Sequence, residues 1–177
     1  MRSPTLLAAG LMVVLTSGLA PPAAVASDAS AAARDAPVVI GSAGAFAILD
    51  DFGEPLLLGL QYRGRAYTRL DLRPGVGLLY GQDGQSYLFA DLAHDWQLPH
   101  RWVATLSFGF GWFNNGDDIE VVDAREFQTV LAVSRRLGNG GRVGISASHI
   151  SNGGLSSPNR GTETLALYYA LPVGRGR

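Results

Sequence analysis

The chain has 177 residues, 47% hydrophobic and 16% charged, with 23 Gly, no Cys and a net charge of −1. Its length fits one domain with a core; its low charge argues against disorder and so many glycines against a helical bundle. The absence of a basic excess argues against a nucleic-acid partner, and the absence of Cys excludes a disulfide scaffold, a thiol nucleophile and a Cys-ligated metal. All 14 cationic side chains are Arg.

Arg2, an apolar run over 6–19 and the small-x-small Ala24-Val25-Ala26 read as a secretory signal peptide over 1–26. The run is too short for a helical span, and Pro21 and Pro22 break it. Residues 27–37 read as a flexible lead-in, and 38–177 as one β domain.

That domain divides into eight segments of period two: 38–50, 56–65, 67–80, 86–97, 102–113, 126–137, 142–151 and 163–172. Pro74-Gly75 is expected to bend the third. Gly81–Gly84, Leu98–Arg101 and Gly138–Gly141 read as turns; 114–124 and 152–162 read as loops.

The fifth segment decides which face is greasy. Trp102, Ala104, Leu106, Phe108, Phe110 and Trp112 share one face, and Val103, Thr105, Ser107, Gly109 and Gly111 the other. Bulky apolar residues outside, Trp at both ends and a small, polar interior are the layout of an outer-membrane barrel. A soluble barrel would reverse it. The expected fold is therefore all-β: an eight-stranded antiparallel transmembrane β-barrel of outer-membrane type behind a cleavable signal peptide. Arg63, Asp71, Arg73, Asp91 and Asp95 are expected inside as a paired network. An even strand number returns both termini to the periplasm. It places 98–101 and 138–141 on the periplasmic side, with 114–124 and 152–162 outside the cell.

One constellation carries chemistry. His149 and Ser151 share the outward face of the seventh segment, and Glu163 the outward face of the eighth. The loop between them brings all three to the exterior end of one antiparallel pair. Ionisable groups facing hydrocarbon are rare and usually functional. Ser151 as nucleophile, His149 as base and Glu163 as its orienting carboxylate are what acyl transfer needs. Asn152, Gly154 and Asn159 can supply amide donors to an oxyanion. The plainer alternative is an interfacial His and Ser beside an Asn/Gly loop.

His149-x-Ser151-Asn152 followed by Asn159-x-Gly161-x-Glu163, closing the last hairpin of such a barrel, resembles the lipid A 3-O-deacylases. The resemblance covers residues 148–167. It implies a Ser151–His149–Glu163 triad, oxyanion-hole positions at Asn152, Gly154 and Asn159, and hydrolysis of the ester at position 3 of lipid A. It implies no cofactor, lipopolysaccharide of the outer leaflet as partner, and the outer membrane of a Gram-negative bacterium as location. The chain lacks the terminal aromatic usual in such barrels. A triad on the outer wall would meet the ester near the polar–apolar boundary. The acyl chain would then lie over Ile145, Leu165 and Leu167, with Trp112 at the same interface level. The oligomeric state is left open, a homodimer included.

His94 and His100 have no spacing partner for a metal and read as interfacial. Asp117, Asp118, Glu120 and Asp123 read as a solvated acidic loop without a calcium pattern, and Arg160 as a solvated loop residue. The rival functions are a non-enzymatic structural or adhesive barrel and a soluble exported barrel binding an apolar ligand.

Overall fold

A computed structural model describes residues 36–49, 56–67, 69–116, 124–157, 161–174 of the chain. The expected signal peptide, most of the lead-in, the acidic loop residues 117–123 and both Asn159 and Arg160 lie outside the described residues. Eight strands run in chain order: β1 Val38–Phe46, β2 Leu56–Arg63, β3 Leu72–Gly81, β4 Ser86–Gln97, β5 Trp102–Asn114, β6 Arg125–Arg136, β7 Arg142–Ser151 and β8 Thr162–Pro172. Each pairs antiparallel with its neighbours, and β1 also pairs with β8, so the sheet closes as a barrel. Closure leaves no strand edge, which is what lets a sheet sit in lipid with every ladder group bonded. Among the described residues no helix is long and apolar enough to cross a membrane.

The side-chain alternation falls as the fifth segment requires. On β5, Trp102, Leu106, Phe108, Phe110 and Trp112 are exposed, whereas Val103, Thr105 and Ser107 are buried. The same holds round the wall: Leu58, Leu60, Leu78, Leu88, Leu92, Leu131, Ile145 and Leu167 all face outward. An exterior this apolar is a lipid-contacting surface rather than a solvated one. Leu131, near the middle of β6, is 61% exposed. Leu131→Arg is expected to cost about 2–4 kcal/mol in unfolding titrations from a bilayer, against about 0–1 kcal/mol for Trp112→Arg near the rim. Equal costs at the two sites would mean that Leu131 does not face hydrocarbon.

β1 and β3 fall furthest short of the expected segments, and β2 stops at Arg63 where 65 was expected. β1 ends at Phe46: Ala47 has φ +52° and its N–H donates to Thr162 Oγ1 at 3.3 Å, leaving the ladder. β3 begins at Leu72 instead of 67. Before it, Leu70 N and Asp71 N donate to Tyr67 O, with Asp71 at φ +52°. Asp71 is consequently exposed there and does not join the interior network.

The expected bend at Pro74 does not interrupt the strand, which runs through it in register with β4. Pro74 O still accepts Gly64 N–H at 2.7 Å, but proline has no N–H to return to Gly64 O. Arg73 Nε fills that gap, donating to Gly64 O at 3.0 Å.

The lumen is filled in two layers. Toward the β1–β8 end where the strands enter from the lead-in, Arg63 pairs with Asp91 at 3.0 Å. Below it, Asp95 accepts from Arg73 at 3.1 Å, Arg142 at 2.9 Å and Thr105. Arg142 joins the network although it was not expected there. The opposite half of the lumen holds an apolar cluster, in which Phe46, Leu57, Tyr87, Phe89, Phe113 and Ile150 pack together with Tyr87 stacked on Phe89 at 5.3 Å, beside buried Gln85 and Glu126. An interior filled throughout by polar groups is therefore not what is found.

The strand ends divide as parity requires: β4 meets β5 and β6 meets β7 at one end of the barrel, and β5 faces β6 and β7 faces β8 at the other. Loop length is not uniformly asymmetric, since the short 82–85 turn shares the end of the long loops.

Candidate active site

β7 and β8 pair from Arg142↔Ala170 to Ile150↔Thr162, and His149 stands directly opposite Glu163. Alternate residues anchor the pair from within. Ile150 is fully buried in the apolar half of the lumen. Ser148 and Thr164 share a 2.7 Å hydrogen bond inside the wall, and Gln128 Nε2 donates to Ser148 Oγ at 3.3 Å. With 148, 150, 162 and 164 fixed inward, 149, 151 and 163 must project outward.

On that outer wall His149 Nδ1 lies 2.9 Å from Glu163 Oε1. The histidine side chain is 53% and the glutamate 26% exposed. The carboxylate thus engages Nδ1, with the tautomer set by the acceptor it meets, and among the described residues Nε2 has no hydrogen bond. Ser151 is half-buried on the same face, one strand repeat beyond His149 and opposite Phe127 of β6. Same-face neighbours along a strand are about 6.6–6.8 Å apart at the backbone. Among the described residues no hydrogen bond joins Ser151 to His149, so the relay is closed from Glu163 to His149 and open from His149 to Ser151. Open serine–imidazole contacts are common before substrate binds.

Phe127, which the sequence reading did not single out, packs at 5.2 Å from Phe110 and 5.8 Å from Phe108. These rings form an aromatic wall on the β6 side of Ser151. The alternation of β6 carries the signal that would have found it.

The loop after Ser151 is ordered by Asn152. Its side chain is buried, donates through Nδ2 to Ser156 Oγ at 2.8 Å, and accepts Gly154 N–H at Oδ1, also at 2.8 Å. This side-chain-closed turn sets Gly153 and Gly154 at φ +64° and +83°, which glycine adopts at little cost. Asn152 and Gly154 are therefore close to Ser151 but bonded to each other. The third expected oxyanion position, Asn159, lies outside the described residues.

Elsewhere, His94 sits outward near the opposite rim, 3.1 Å from Asp71 O and packed on Trp96 at 4.6 Å. His100 lies in the three-residue 3₁₀ turn Pro99–Arg101, at φ +57°. Among the described residues no cluster of His, Asp or Glu could hold a metal ion.

Comparison with known proteins bears on the whole barrel. The lipid A deacylase PagL of Pseudomonas aeruginosa is 38% identical over 47 residues, a stretch covering 27% of this chain and only 27% of that relative. The crystal structure of the outer membrane enzyme PagL superposes with a TM-score of 0.58 at 21% identity, covering 77% of this chain and 99% of that one. Neisserial surface protein A gives a TM-score of 0.57 at 13% identity, covering 77% and 96%. At such identities these superpositions establish the fold, an eight-stranded outer-membrane barrel, in agreement with the apolar exterior. The protein is accordingly an integral barrel of the outer membrane. The sequence profile of the lipid A 3-O-deacylases (PagL) matches residues 58–172, which takes in β3 to β8, most of β2 and the whole outward site, and the chain belongs to that family.

Proposed function

We propose that the protein is a serine esterase that hydrolyses the ester-linked hydroxyacyl chain at position 3 of lipid A. The observation that carries the reading is the His149–Glu163 pair, 2.9 Å apart on the lipid-facing wall, with Ser151 on the same face. An ionisable pair on this wall would be costly as bare structure.

Ser151 Oγ attacks the ester carbonyl carbon as its proton passes to His149 Nε2. The tetrahedral oxyanion collapses, the sugar oxygen leaves with the proton from His149, and the acyl group remains on Ser151. Water then attacks the acyl carbonyl, giving its proton to His149. Collapse of the second tetrahedral species returns that proton to Ser151 and releases the 3-hydroxy fatty acid. Glu163 fixes the imidazole and stabilises its cation at each step. Asn152, Gly154 and Asn159 are the proposed oxyanion donors; for Gly154, whose N–H now meets Asn152 Oδ1, this means exchanging one acceptor for another.

The site end of the barrel faces the outer leaflet in this reading, so the ester is reached without extracting the lipid. The acyl chain lies over Ile145, Leu165 and Leu167, all exposed on the wall below the triad. No cofactor is required.

The test is mass spectrometry of lipid A from cells expressing the inserted protein in a host without this activity. The expected result is loss of one hydroxyacyl mass from position 3. Unaltered lipid A from a correctly inserted barrel overturns the reading and leaves a non-enzymatic barrel. Glu163→Gln, which keeps the shape but removes the charge that holds the imidazolium, is expected to lower kcat by roughly two to four orders of magnitude. Initial rates on purified lipopolysaccharide in detergent check it.

A further inference from the structure

We infer that Gly161 is a positioning residue: its missing side chain is the space in which the Cε1–Nε2 edge of the His149 imidazole lies. The inference rests on the esterase reading and names a residue to which that reading gives no role.

The register locates it. The last β7–β8 pair is Ile150↔Thr162, and Gly161 directly precedes it in the chain, at the end of the pair where Ser151 closes β7. A Cβ built on Gly161 would stand 2.7 Å from His149 Cε1, 3.2 Å from His149 Nε2 and 2.8 Å from the Ile150 carbonyl oxygen. The imidazole is pinned at Nδ1 by Glu163. Its far edge, Cε1 and Nε2, therefore lies against the bare Cα of Gly161. That edge is the one that must exchange a proton with Ser151.

The requirement is one of space. Gly161 has no left-handed φ, unlike Gly153 and Gly154, so alanine fits its backbone conformation. What alanine cannot fit is the gap. The Ile150 carbonyl is held by a side chain fully buried in the lumen and cannot retreat easily. The half-exposed imidazole is the softer neighbour and gives way first. Turning the ring displaces Nε2, the atom that must exchange a proton with Ser151, or stretches the Nδ1 bond to Glu163. A displacement near 1 Å in such a relay costs on the order of 100-fold in rate.

The experiment compares purified wild type, Ser151→Ala, Gly161→Ala and Gly138→Ala on lipopolysaccharide carrying its 3-position ester chains. Gly138 is the control, because a Cβ there meets nothing within 4 Å. Rates are referred to folded barrel, counted by its compact migration in unheated gels. Gly161→Ala is expected to lose about 100-fold in kcat with KM within about twofold, and Gly138→Ala to match wild type. If Ser151→Ala is dead while Gly161→Ala keeps wild-type kcat, the positioning role falls and the esterase stands. If wild type itself is inactive, the esterase falls, and unfolding decides the geometry. Gly161→Ala should lower the urea midpoint more in the wild-type background than with His149→Ala, where the ring is absent. Equal shifts, or equal failure to fold in both backgrounds, would mean that the glycine serves the backbone, and the inference is overturned.

Discussion

Ser151→Ala is expected to leave a fully inserted barrel that removes no acyl chain from lipid A, with kcat down by roughly six orders of magnitude or to the detection limit. Removing one hydroxyl deletes the atom that forms the acyl-enzyme; the other hydroxyl residue paired with His149 on the outer wall, Thr129, stands on β6, on the side away from Glu163. Stability should hardly change. Ser151 is the last residue of β7, half-buried on the outer wall, whereas the contacts that fasten this end of the strand belong to Ile150 and Ser148 inside. Mass spectra of lipid A and the gel shift of the folded barrel together separate the two effects. Deacylation at the wild-type rate would remove Ser151 from the mechanism. Loss of both activity and folding would show that it is structural. His149→Ala should phenocopy it, since the residues act as a unit and the losses do not add.

The architecture was readable because a strand writes its two faces into alternate letters. β5 carries Trp102, Leu106, Phe108, Phe110 and Trp112 on one parity and small residues on the other, and only one way of curling that sheet fits lipid. The same parity put His149, Ser151 and Glu163 on one outer face, and the hairpin made neighbours of residues 14 positions apart.

Alternation fails where it cannot tell a strand from a turn. Arg69-Leu70-Asp71 alternates like a strand yet forms a turn closed by Tyr67 O, and the run through Ala47 looks apolar and continuous although its N–H leaves the ladder for Thr162. Side-chain partners are less legible still. Asn152 reads as an amide free to donate, but its carboxamide closes the loop on Ser156 and Gly154, a choice settled by burial and not by spacing. The role of Gly161 depends on where a ring lies across the strand pair, which only coordinates reveal.

The second large effect concerns stability. Asp95→Ala is expected to destabilise the barrel by about 3–5 kcal/mol. Asp95 is buried, and through one oxygen it accepts from both Arg73 and Arg142, while the other accepts from Thr105. Without it two buried guanidinium groups face each other with no anion between them. The penalty is dominated by these stranded charges and not by the lost hydrogen bonds, and that distinction can be tested. Arg142→Met in the Asp95→Ala background removes one stranded charge and should recover part of the loss. Arg73→Met should recover less, because Arg73 also donates to Gly64 O, where Pro74 cannot, and to Ala36 O at 2.6 Å. Removing Arg73 therefore trades a stranded charge for two carbonyls without partners. Urea midpoints of the folded barrel, compared in pairs, give the order: Asp95→Ala with Arg142→Met above Asp95→Ala with Arg73→Met. If Asp95→Ala unfolds at the wild-type midpoint, the lumen holds enough water to hydrate both cations and the network does not stabilise the fold. If both double variants recover alike, Arg73 has no backbone role at Pro74, and the account of how β3 accommodates its proline fails with it.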